Sequence, residues 1–126
     1  MKGKLEMKYM VMMFGSAAGM METKSTEWIR EMIQFMKQVD RDLRESGELV
    51  FEAGLADGSQ AKVVSIKNGI PVATDGPFAE SKESVIGYWV IDVVNEARAI
   101  EFASKIVAFT QGPIEVRQVM DAPPDV

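Results

Sequence analysis

The sequence contains no cysteine and no histidine. Those two absences exclude zinc sites, thiol nucleophiles, Ser-His and Cys-His arrangements, and any imidazole acid or base working near neutral pH. A disulfide-stapled secreted scaffold is excluded with them. Long apolar runs are missing too: none approaches the roughly 18 residues that suggest a membrane span. Basic residues are in the minority, 14 Lys and Arg against 19 Asp and Glu, for a formal charge of −5. Broad binding to a phosphate backbone needs a clustered basic face, so that balance argues against nucleic acid. At the start, Lys2, Lys4 and Lys8 followed by Tyr9 to Phe14 loosely imitate an export signal. The apolar stretch is too short for one and is preceded by Glu6. The expectation is a cytoplasmic protein with no membrane or nucleic-acid partner, no cofactor and no metal.

What is present is enough for one domain, with a core over about residues 7–120 of the 126. A chain of that length buries about two-thirds of the surface its unfolded form exposes. Met7 to Phe14 reads as a strand, apolar on both sides from Met10 to Phe14, and therefore covered on both faces. Gly15 to Lys24 reads as a small flexible loop. Thr26 to Ser46 is a helix: Trp28, Met32, Phe35, Met36, Val39 and Leu43 recur at spacings of three and four, with Ser25 or Thr26 as cap and Gly47 as stop. Glu48 to Gly54 is a second strand. Lys62–Lys67 and 70–73 flank Asn68-Gly69, a strong hairpin signal, and Pro71 assigns its strand to an edge. Val85 to Val93 is a central strand, again apolar on both sides. Asn95 caps a helix to about Ala108 with Ala99, Ile100, Ala103, Ile106 and Val107 on its apolar side. Ile114 to Met120 alternates as a last strand.

Two helices cannot cover both faces of such a sheet, so the expected fold is α+β, ferredoxin-like, with both helices on one face and an added hairpin. The other face would then carry Met, Val, Tyr and Trp, more apolar surface than a monomer leaves open. A second copy packed sheet on sheet is the economical cover, giving a homodimer.

The stretch Thr74-Asp75-Gly76-Pro77-Phe78-Ala79-Glu80-Ser81-Lys82-Glu83 is the one that packing explains least. Gly76 and Pro77 hold a defined bend. The residue two after Asp75 is Pro77, which has no N–H to offer, so the Asp75 carboxylate needs another partner. Asp75 is therefore the candidate general base or ligand acceptor, against the alternative of a turn aspartate bonded to nearby backbone. Glu80 and Glu83 could join it around a cation, but no calcium-loop spacing is present. Arg117 alternates with Val116 and Val119 on a strand expected to be central or nearly so, where it would meet a carboxylate or an anionic ligand. Trp28, Tyr88 and Trp89 are either pocket walls for a planar ligand or core. Phe78 and Lys82 complete the set of candidate pocket residues.

The run from Asp75 to Glu83, with Gly87-Tyr88-Trp89-Val90-Ile91-Asp92-Val93 and Ile114-Glu115-Val116-Arg117, resembles the YCII-related family, in particular its DGPF-domain branch. Met7-Lys8-Tyr9-Met10-Val11 and the Asn-Gly hairpin resemble it as well, so the likeness spans roughly residues 7–120. It implies a dimeric ferredoxin-like α/β barrel. Some relatives resemble small lyases, isomerases or dehydrochlorinases using a His-Asp pair, which a chain without histidine does not have. Others look like genomic companions of extracytoplasmic-function sigma factors. Two functions follow as expectations: a small-molecule-binding protein, a cofactor-free lyase or isomerase using Asp75; and a non-catalytic partner or regulatory module.

Overall fold

The computed structural model describes residues 7–76 and 84–123. Phe78, Lys82 and the rest of 77–83 lie outside the described residues. The chain runs β1 (Met7–Gly15), α1 (Ala17–Thr23), α2 (Thr26–Ser46), β2 (Leu49–Gly54), β3 (Lys62–Lys67), β4 (Ile70–Asp75), β5 (Ser84–Val93), α3 (Glu96–Thr110) and β6 (Ile114–Val119). Four strands form one antiparallel sheet in the order β2-β5-β1-β6. With the β3–β4 hairpin set aside as its own two-stranded sheet, this is the ferredoxin-like α+β arrangement.

Side chains on a strand alternate between faces, and here the alternation divides the two central strands cleanly. Tyr9 and Val11 of β1 and Trp89, Ile91 and Val93 of β5 are buried on the helix side. Against them α2 places Val39 and Leu43, and α3 places Ala99, Phe102, Ala103 and Ile106. Full burial of one such aliphatic side chain contributes about 1.5–3 kcal/mol, so this cluster holds the fold together. Phe102 meets the Trp89 ring edge-on, with centroids 5.4 Å apart. Phe109, farther along α3, stacks on Phe35 of α2 at 4.6 Å, tying the two helices to each other. Helix ends are specified locally: Ser25 accepts from the Trp28 N–H and Asn95 from the Arg98 N–H, both at 3.0 Å. Gly47 closes α2 at φ 79°, a left-handed angle that costs glycine nothing.

Several sequence expectations are corrected. The loop expected over residues 15–24 contains α1, started by the Ser16 hydroxyl accepting from the Gly19 N–H at 3.0 Å; Gly19 inside it disguises the helix. Strand β4 continues through Thr74 and Asp75, which pair with Val63 and Lys62, and the Gly76 N–H still donates across the hairpin to the Ala61 carbonyl at 2.8 Å. On α3 it is Phe102 that is buried, while Ile100 stands 49% exposed. Arg117 lies on β6, an edge strand of the sheet and not a central one.

The start of β2 is fastened to α3 by a carboxylate–guanidinium fork. Arg98 donates through Nε to Glu48 Oε2 at 2.9 Å and through Nη2 to Oε1 at 2.8 Å, while the Ser46 hydroxyl adds a third bond to Oε1 at 2.8 Å. Glu48 is the one charged residue that is buried among those described. The Arg98 hydrogen bonds hold its carboxyl below the ordinary carboxylate value, against the opposing effect of burial. A depressed folded value means stability that is present above the unfolded value of about 4.5 and is lost as pH falls through the folded one. Removing Glu48 leaves the half-buried Arg98 with only its exposed contact to Glu101. Glu48→Ala is therefore expected to lower unfolding free energy by about 2–3 kcal/mol, and Glu101→Ala, which removes only the exposed outer contact to Arg98, by less than about 1 kcal/mol. Urea denaturation of both variants checks the contrast.

Candidate functional site

A row of missing side chains opens the site. Across the sheet Met13 pairs with Gly87 and Gly87 with Gly54, and alternation from Trp89 and Glu52 puts all three positions on the helix side. A Cβ built at Gly54 would meet nothing within 4 Å. Above these glycines lies a cleft of about 640 Å³ between the β2–β5 edge, α1 and the first half of α2.

Its walls are sulfur-rich. Met13 of β1, Met20 and Met21 of α1, and Met32 and Met36 of α2 line it, five of the ten methionines in the chain. Unbranched thioether side chains adapt to irregular contents. On α2, Met32, Met36, Asp40 and Arg44 follow at intervals of four, which places them one above another on a single face. The cleft thus passes from apolar to charged along one helix.

At the charged end, Trp89 donates its indole N–H to Asp40 Oδ1 at 3.1 Å. Glu52 sits opposite Trp89 in the β2–β5 register and accepts from Arg44 Nη2 at 3.1 Å. Burial, followed by the hydrogen bonding and negative charge of Asp40, pushes the Glu52 carboxyl up to about 7 from an ordinary 4.5, with Arg44 and Trp89 pulling the other way. Glu52 is 26% exposed and Arg44 61%, so the guanidinium is solvated and weakens the effect only in part. A carboxyl with that proton affinity is half-protonated at neutral pH, the condition under which one group serves as both acid and base.

A second cleft of about 370 Å³ adjoins the first, sharing Met13, Met20 and Ile86. Trp28 forms part of its wall, with Lys24 Nζ 4.9 Å from the ring centroid. Of the residues selected from sequence, Trp89 lies at the charged end of the main cleft and Trp28 in the neighbouring one. Asp75 is elsewhere, at the end of the hairpin, its side chain 88% exposed and ion-paired to Lys62 Nζ at 2.6 Å. Arg117 points from the sheet face opposite the helices, 74% exposed and paired with Glu115. Sequence reasoning passed over Asp40 and Glu52, because Asp40 looks like one of many charges on the polar side of an amphipathic helix. The spacing of four from Met32 through Arg44 was the available signal. Among the described residues no three Asp, Glu, His or Cys side chains come together as a metal site, and no helix is long and apolar enough to cross a membrane.

Comparison with known proteins agrees with this architecture. An uncharacterized protein of Rhizobium meliloti (strain 1021) is 30% identical over 86 residues, which cover 65% of this chain and 69% of the relative. The YCII-related domain model matches residues 7–123. The chain, with its ferredoxin-like sheet and methionine-walled cleft, belongs to the YCII-related family.

Proposed function

We propose that this protein binds a small, largely apolar molecule in the methionine cleft and exchanges a proton with it through Glu52, in cofactor-free chemistry of the lyase or isomerase kind. The observation that carries this reading is the position of Glu52: a carboxyl pushed up to about 7 by burial and by Asp40 at the charged end of an apolar cleft. General acid or base assistance of that kind contributes typically about 10²- to 10⁴-fold in rate. Asp40 is the positioning and tuning partner, fixed by the indole of Trp89. The exposure of Asp75 and its pairing with Lys62 favour Glu52 over Asp75 as the base, and leave Asp75 the task of bracing the hairpin.

The open sheet face supports a second part of the reading, that the protein works as a homodimer packed sheet on sheet. Register places Met10, Val90 and Phe51 in one row of that face, and Met12, Tyr88 and Ala53 in the next. Phe51 is 55% exposed in the single chain, and its ring lies 6.2 Å from that of Tyr88. A contiguous apolar face of this kind is what a two-fold partner covers. The non-catalytic alternative, a regulatory module of the type found beside sigma factors, has no residue in the cleft arguing for it.

Three measurements test these statements. In a Trp28→Phe background the emission of Trp89 should titrate with a midpoint near 7, and Glu52→Gln should flatten the curve; an unaltered curve in Glu52→Gln removes that residue as the titrating group. Stability should also respond. The folded chain keeps a proton on Glu52 that the unfolded chain loses from about pH 4.5, so unfolding free energy should fall as pH rises from 4.5 to 7 and then level. Glu52→Gln should lack that fall in urea titrations at successive pH values. For the dimer, Val90→Lys should yield monomers in sedimentation velocity, and an intact dimer in that variant would place the interface elsewhere.

A further inference from the structure

We propose that the cleft takes a lipophilic amine, bound as its ammonium form with the charge between Asp40 and Glu52 and the carbon skeleton among the methionines. The inference rests on the cleft reading above and names the class of molecule.

Charge at the site decides among ligand types. Among the described residues, the charged ones that line the cleft are Asp40 and Glu52, both acidic, with no Lys or Arg. The cations around the cleft, among the described residues, already have partners. Arg44 reaches Glu52 from its solvated side, Lys24 lies over Trp28 in the adjoining cleft, and Lys105 pairs with Asp42 on the outer side of α2. The groups facing Glu52 are Asp40 and Arg44 from α2 and Trp89 from β5. A carboxylate ligand entering this space would set a further negative charge beside Asp40 and Glu52, opposed only by the solvated Arg44. A neutral alcohol offers the carboxyls one O–H donor for the water it strips away, and a hydrocarbon offers none. An ammonium carries three N–H donors and no acceptor, a match for two acceptors held on neighbouring elements.

Binding of an ammonium also displaces a proton. In the empty cleft, one proton on Glu52 relieves the repulsion between the two carboxyls. An arriving ammonium does this better, since it brings a full charge and further donors. Glu52 then releases its proton to solvent: carboxylic acid plus ammonium becomes a carboxylate–ammonium pair plus a free proton, and charge is conserved. Release should approach one proton per ligand well below pH 7 and vanish above about pH 8, following the value near 7. The skeleton is accommodated by soft thioethers and by the ring of Trp89, surfaces that also favour a cation.

The test uses three ligands of nearly equal shape: 2-phenylethylamine, 2-phenylethanol and 3-phenylpropanoate, titrated calorimetrically into the full chain in two buffers of different ionisation enthalpy. At pH 8 the amine should bind at least about tenfold more tightly than the alcohol, the value of one charge-assisted contact, and the acid most weakly. Glu52→Gln should abolish proton release and shrink the preference for the amine. Gly54→Leu, which puts a side chain into the open space above β2, should weaken amine and alcohol together. If the alcohol matches the amine, or the acid exceeds it, the amine assignment is overturned while the cleft survives as a small-molecule site. If none of the three binds and Gly54→Leu behaves as wild type, both fall.

Discussion

The antiparallel pairing of β1 with β5 is the constraint on which everything else depends. Both strands are apolar on both sides, so the two faces of their shared ladder must each be sheltered. The helices shelter one, through Val11 and Ile91 with no measurable exposure and Phe102 edge-on to Trp89. That packing also determines where the site can be. α2 contributes Val39 and Leu43 to the core with its second half, and its first half stands off from the sheet over Gly54 and Gly87. A single helix thus closes the core at one end and forms the wall of a cleft at the other.

The opposite face of the ladder carries Met10, Met12 and Val90, half-buried, and Phe51, exposed in the single chain. Sheet-on-sheet packing is the reading we favour there. Cleft and open face are separated by the thickness of the sheet, and Trp89 and Tyr88, adjacent in sequence, project to opposite sides of it.

The architecture was largely legible in the sequence because its strongest signals are periodic. Spacing of three and four over residues 26–46, two-sided apolar strands, and Asn68-Gly69 each correspond to an element that forms, with Asn68 at φ 54° and Gly69 at φ 76° as such a turn requires. α1 was hidden because a helix of seven residues carrying a glycine has too little pattern to register. The site was legible only in part. Trp28 and Trp89 stand out by rarity and both fall on the clefts, but Glu52 acquires its proton affinity from burial and from Asp40, 12 residues away along the chain. Proton affinity of that kind is a property of packing, and no local pattern encodes it. Asp75 drew attention for a sound local reason, the lack of an N–H on Pro77, yet Lys62 across the hairpin supplies the partner.

The ladder Met32, Met36, Asp40, Arg44 has one further consequence. Met32 and Met36, which wall the cleft, and Asp40, whose charge raises the Glu52 carboxyl, ride on one helix. An occupant wide enough to shift that helix would therefore also change the separation of the two carboxyls, and with it the proton affinity of Glu52.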